Sequence, residues 1–346
     1  MTPPARQAMV WTPIIAFALG ASAAPHSGVE PTVGTILTRD FKFSASDLSD
    51  LQRGLTVRKS LAVTTPGEVA VVGAIRVRAR KETLVERYRD IAEFKRHPDV
   101  LQVGRFSATP SIDDLAALTI TRDDIDLRDC RPRDCDVRLP EEAITRVHRE
   151  IDWKAPDADA RAAALFKLLL VENAAAYRSG GPGRITQYDD GSRPIRPTDD
   201  LAGLVAHSEY LDTLLPGLRD RLSSPSRPVD PATAGDDDFL YWSKERFGMA
   251  PFISVTHVLI APAGAGRLVI ASKDVYSSRY LDASLSIAIA SDAVDDPTAF
   301  HLIYVNRSRA NALKGVFSSL RRSIVERRAR NALDEQLREL KRTLER

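Results

Sequence analysis

The sequence predicts an α+β fold, made of an antiparallel sheet, a long C-terminal helix and a mainly helical insertion. Three observations carry that prediction. From Phe239 onward five strand-like segments follow one another with only short Gly, Pro or Asp breaks, the pattern of an antiparallel meander. The meander runs straight into a helix expected from Ala310 to about Leu344, with a first apolar stripe of Leu313, Phe317, Leu320 and Ile324 and a second of Leu333, Leu337, Leu340 and Leu344. Between an early strand and this meander, the apolar residues of 108–238 recur mainly at helical spacing.

In chain order, the first segment reads "MTPPARQAMVWTPIIAFALGASAA", with Arg6 ahead of an apolar run from Ala8 to Gly20 and the small residues Ala21-Ser22-Ala23 behind it. That run is too short to cross a hydrocarbon core, which needs about 20 residues. The pattern is that of a cleaved export signal over 1–23, so the mature chain is expected in the periplasm or secreted. An N-terminal extension over 24–66 follows, in which "SASDLSDLQRG" reads as a short capped helix ending at Gly54. The first part of the α+β domain spans 67–107. In it, Val69, Val71, Ile75, Val77 and Ala79 alternate as in a strand. Leu84, Tyr88, Ile91 and Phe94 then fall at helical spacing up to Pro98, and "VLQVGRFS" returns to an extended pattern.

The insertion opens with a short helical piece from Ser111 to Leu118. "PEEAITRVHREIDW" follows as a helix with two glutamates in its first turn. Next comes a longer helix ending at Gly180-Gly181, apolar nearly all round and expected to be buried. "RITQYDDGSRPIRP" reads as strand and turn, and a further helix is interrupted near Pro216-Gly217. "SSPSRPVDPATAGDDD" is an exposed linker leading to the last part, 239–346.

The chain has only two cysteines, Cys130 and Cys135. In an oxidising compartment two thiols this close form a disulfide. The spacing is not C-x-x-C, and no histidine lies closer than His148, so neither a redox pair nor a zinc site is supported. Pro132 suits the second position of a tight turn between them. A loop so small contributes about 2 kcal/mol by chain entropy.

Composition narrows the function classes. A net charge of +2 over 346 residues argues against a dedicated nucleic-acid binder. Charge is uneven, however, with twelve Lys or Arg against five Asp or Glu over 307–346. There is no G-x-S-x-G elbow, H-E-x-x-H, phosphate-cradling loop or dinucleotide fingerprint, and the six histidines include no i, i+4 pair. No catalytic residue, metal ligand or cofactor site is therefore assigned, no transmembrane span is expected after signal cleavage, and catalysis stays open.

The polar candidates sit on the meander. His257 shares a strand face with Ile253, Val255 and Leu259. Ser272, Asp274 and Tyr276 share another, Tyr280, Asp282 and Ser284 a third, and Tyr304 and Asn306 a fourth. If these faces turn inward together, His257, Ser272, Asp274, Asp282, Ser284, Tyr304 and Asn306 line one ligand cavity. A buried Asp282 would need a cation, with Arg279, Lys273 and Arg307 as nearby choices.

The early strand, the helical stretch ending in "FKRHPDVLQVGRF", the later meander and the closing helix together resemble the START-like, helix-grip family. The likeness covers Glu68 to Ser107 and Phe239 to Leu344. The wording from "YWSKERFG" to "YVNRSR" is also similar to secreted bacterial proteins of no assigned function. The START-like resemblance implies a curved sheet gripping its last helix around an apolar or lipid-like ligand. The alternatives are an envelope scaffold, homodimer or partner-binding protein acting through the basic final helix, or a hydrolase-type enzyme.

Overall fold

The first strand of the meander pairs with the last segment before the insertion, and the last strand returns to pair with the strand at the start of the domain. The structure, a computed structural model, describes residues 32–190, 193–215, 217–224, 237–247, 250–264, 266–315 and 318–346. The expected signal segment, Phe317 and most of the Ser/Pro-rich linker lie outside the described residues.

Two short helices lead in, α1 (Val33–Arg39) and α2 (Ala45–Gln52). Ser44 caps α2 as the sequence suggests: its hydroxyl accepts from the Asp47 backbone N–H at 3.2 Å, and its own N–H donates to the Asp47 carboxylate at 2.8 Å. Then come β1 (Val57–Ser60) and β2 (Glu68–Val77). The helical stretch that follows is two helices, α3 (Lys81–Arg89) and α4 (Ile91–Phe94). Asp90 breaks the run and caps the second piece, its carboxylate accepting from Glu93 N–H at 3.1 Å. β3 (Val100–Arg105) follows.

The insertion carries α5 (Glu141–Glu150), α6 (Ala158–Gly180), a small hairpin of β4 (Tyr188–Asp190) and β5 (Arg193–Ile195), α7 (Pro197–Ala206), α8 (Tyr210–Leu214) and α9 (Leu218–Leu222). The meander is β6 (Asp237–Phe247), β7 (Ala250–Pro262), β8 (Arg267–Ser277), β9 (Ala283–Ala293) and β10 (Asp296–Arg309), and the chain closes with α10 (Ser318–Leu344). The sheet order is β1-β2-β10-β9-β8-β7-β6-β3, and every pair is antiparallel. The fold class is thus α+β, and the strand order and closing helix are compatible with a helix-grip-like arrangement.

Both faces of this sheet are covered, which explains why β2 reads as nearly continuous apolar sequence. Val71, Ile75 and Val77 meet α3, α4 and α10 on one side, whereas Val72 and Ala74 join the core under the insertion on the other. On the α10 side, Leu333, Leu337 and Leu344 are buried together with Leu84, Val85 and Ile91. Each such leucine contributes about 1.5–3 kcal/mol relative to exposure. The helix sits flush on the strand because Gly73 has no side chain: a Cβ there would stand 2.8 Å from Leu337 Cδ1 and 3.1 Å from Leu333 Cδ2.

The second leucine stripe therefore closes the sheet and is not left over for a partner. Nor does it cover the insertion, which packs on the opposite face. The first stripe does less. Leu313 lies in a separate turn before α10, and Leu320 is 61% exposed. Helix α6 is likewise one-sided: Leu165, Phe166 and Leu170 are buried, but Leu168 faces solvent.

A buried ionic knot ties the insertion to the sheet. Glu68, fully buried, takes Arg307 at 2.8 Å, Arg309 at 3.3 Å and His207 at the end of α7 at 2.9 Å. The clasp is present as expected, Cys130 to Cys135. Between them Arg131 and Asp134 exchange two backbone hydrogen bonds of 2.8 and 2.9 Å, and Arg133 takes a positive φ of 73° after Pro132. This is the geometry of a type II turn. Among the described residues no helix is long and apolar enough to cross a membrane.

Candidate functional site

Register decides which polar residues meet. Residues directly opposite in antiparallel strands point to the same face. Ser272, Ser286 and Asn306 are cross-strand neighbours on β8, β9 and β10. One step along, Thr256 opposes Asp274, and Ser284 opposes Ser308. The face they share is the one that carries α3 and α10. The result is a hydrogen-bonded ladder. Tyr304 Oη donates to Ser286 Oγ at 2.9 Å, and Asn306 Nδ2 donates to the same hydroxyl at 2.9 Å and to Ser284 at 3.4 Å. Ser308 donates to Asn306 Oδ1 at 2.9 Å, and Tyr88 from α3 meets Ser272 at 3.0 Å.

This face is not sealed. Ser272, Asp274, Ser284, Ser286, Tyr304 and Asn306 all keep partial solvent contact, although burial dominates the electrostatics of Asp274 and Tyr304. Helix α10 packs chiefly over β1 and β2 while α3 reaches β9, so the ground between the two helices, with β8 to β10 as its floor, is taken as the candidate recess. Its apolar part is Ile270, Ala288 and Leu302.

Asp274 is the chemically distinctive group of the recess. Burial pushes its carboxyl up to about 7, against the hydroxyl of Thr256 at 3.1 Å and the more distant Lys95, which both favour the anion. It makes no ion pair among the described residues. Tyr304 is pushed up to about 12 by burial, with the Ser286 hydroxyl opposing, so it remains a neutral donor. At one end of the recess Lys95 pairs with Glu245 at 2.5 Å and lies 5.4 Å from the Tyr241 ring centre. Burial disfavours both charges, but it is more than offset: Tyr241 and then Glu245 raise Lys95, and Lys95 lowers Glu245.

Five of the seven expected residues are thus brought together: Ser272, Asp274, Ser284, Tyr304 and Asn306. His257 and Asp282 are not among them. His257 points to the opposite face and is 2% exposed. Its Nε2 is 2.9 Å from the Asp238 carboxylate, and its Nδ1 is 2.8 Å from Tyr177 Oη on α6. Burial lowers its pKa despite Asp238, so the ring is neutral. Because a carboxylate can only accept, Nε2 carries the hydrogen and Nδ1 accepts from the tyrosine. Lys273, on the same face, is pushed down to about 7 by burial, with Asp238 opposing, and donates to the Leu222 carbonyl.

Asp282 lies ahead of β9 and pairs with Arg138 of the insertion at 2.8 Å. It does not pair with Arg279, Lys273 or Arg307, which are engaged with Asp136, Leu222 and Glu68. Burial raises its pKa to about 6 against Arg138. Tyr276 also leaves the face of Asp274. A bulge between Val255 and Thr256 in the β7–β8 register adds one residue, so Tyr276 turns toward Phe166 in the insertion core.

The sequence reading missed Tyr88, Lys95, Thr256, Glu245, Ser286 and Ser308. Ser286 and Ser308 continue the alternation of Ser284 and Asn306, so the same period-two count reaches them. Lys95 and Glu245 carry no local signal, because they lie far apart in the chain and meet only in the fold. Among the described residues, no three His, Cys, Asp or Glu side chains are placed to hold a metal ion. Compared with known proteins, the chain matches no family model, no curated protein and no solved structure.

Proposed function

We propose that the chain is an exported binding protein that holds a small amphipathic ligand in the recess between the sheet and the α3/α10 pair. The ligand's polar end would meet the Ser284–Ser286–Tyr304–Asn306 ladder and Asp274, and its apolar body would lie along Ile270, Ala288 and Leu302. The observation that carries this reading is Asp274, whose carboxyl is dominated by burial while its side chain keeps partial solvent contact, and which makes no ion pair among the described residues. Such a group costs stability and is typical of a site that gains its partner from outside. The disulfide and the leader-like start of the sequence support export.

Native mass spectrometry of protein purified from its own compartment, with solvent extraction of the bound material, tests the reading. A stoichiometric adduct that is lost in the folded double variant Tyr304→Phe/Asn306→Ala is the expected result. An empty wild-type protein, or an adduct retained equally by the variant, would overturn it.

A further inference from the structure

Helix α10 changes character along its length. Over 331–346 four Lys or Arg stand against four Asp or Glu. Most of them pair: Arg338 with Asp334 at 3.1 Å, Lys341 with Glu345 at 3.6 Å and Arg342 with Glu339 at 2.5 Å. This is the half whose Leu333, Leu337 and Leu344 close the sheet. Over 318–330 five arginines stand against Glu326 alone, and that carboxylate takes Arg322 at 3.5 Å. Arg327, Arg328 and Arg330 make no ion pair among the described residues.

The apolar residues of the same stretch also stand apart. Leu320, Ile324, Arg327, Arg328 and Asn331 follow at intervals of four, three, one and three residues, so they form one stripe across the helix from Leu333 and Leu337. Leu320, Arg327 and Arg328 are exposed, and Ile324 is partly so. Neither Leu320 nor Ile324 packs against the buried cores on the two faces of the sheet. A single exposed leucine or an unpaired surface arginine is ordinary. Here uncovered apolar side chains and unneutralised cations share one stripe, while the other half of the helix is balanced in charge and packed.

We infer that the N-terminal half of α10 is a docking face for an anionic lipid surface. The stripe is the convex side of a helix and not a groove, so it suits a flat partner better than a peptide chain. Leu320 and Ile324 enter the boundary between headgroups and acyl chains, and Arg327 and Arg328 lie among the anionic headgroups. The face shares no side chain with the recess, so it stands whether or not the recess holds a ligand.

The test is flotation of the full mature protein with vesicles of phosphatidylcholine alone or mixed equally with phosphatidylglycerol. Binding is expected to the mixed vesicles only, and added salt should release the protein by screening the arginines. Arg327→Ala with Arg328→Ala should weaken binding by about tenfold or more. These side chains are exposed, so circular dichroism should show an unchanged fold. In Leu320→Trp, the indole emission should move to the blue on the mixed vesicles. No binding of the wild-type protein, or equal binding to both vesicle types, would overturn the docking face. Unchanged affinity in the double variant, or an unmoved emission, would overturn its assignment to this stripe. Tighter binding to polyglutamate than to the mixed vesicles would replace the lipid surface by an acidic polypeptide.

Discussion

Replacing Asp274 by Asn should make the protein more stable, and the gain should depend on pH. The carboxyl's value rises from 3.8 to about 7 on folding because burial opposes its charge. A raised folded value means that the folded state holds the proton more tightly than the unfolded chain. The associated stability is fully present below pH 3.8 and is lost as pH rises through about 7. Linkage sets the full loss at about 4 kcal/mol, and the partial solvent contact of the side chain reduces it to about 2 kcal/mol. Asparagine has the same shape, keeps an acceptor for Thr256 and never ionises. Denaturant unfolding at several pH values gives the comparison directly. The two proteins should be equally stable near the acid end, the variant should pull ahead as pH rises, and the gap should level off by about pH 8. A gap that does not change with pH, or a variant that is weaker throughout, would refute the assignment of an uncompensated acid in the recess.

Three further outcomes follow from the packing. Glu68→Gln leaves Arg307 and Arg309 without their buried anion and should cost about 3–5 kcal/mol in the same unfolding assay, with a loss below about 1 kcal/mol contradicting the ionic knot. Gly73→Val forces a Cβ to within 2.8 Å of Leu337 and should destabilise by about 1–3 kcal/mol, with hydrogen exchange rising first along α10. Cys130→Ser with Cys135→Ser opens a loop of separation 5 and should cost only about 2 kcal/mol while preserving the fold, as circular dichroism would report.

Local pattern made a good part of this fold readable. The alternation of β2, the five strands of the meander and the leucine stripe of Leu333, Leu337 and Leu344 follow from periods of two and of three to four, and each is where the pattern puts it. What pattern could not supply is orientation. Alternation divides a strand into two faces but does not say which helices will cover each one, and with both faces covered even β2 loses its contrast. The bulge opposite Val255 and Thr256 has no signature in "ASKDVYSS", yet it moves Tyr276 to the other side of the sheet from Asp274. Asp282 finds its cation in Arg138, 144 residues away, rather than among its neighbours in the chain. His257 reads inward correctly, but inward for its strand is the side of the insertion, where Tyr177 was waiting on α6. The short strand β1 was missed because Val57–Ser60 offers a single buried residue.

The central claim is that the recess above β8 to β10 holds a ligand by its polar ladder. A crystal structure of the protein isolated from its own compartment, with the co-purified material retained or added back, tests it most directly. The account predicts density between α3 and α10 in contact with Ser286, Tyr304 and Asn306, and within hydrogen-bonding distance of Asp274. A recess holding only water, with the ligand bound elsewhere on the protein, would contradict it.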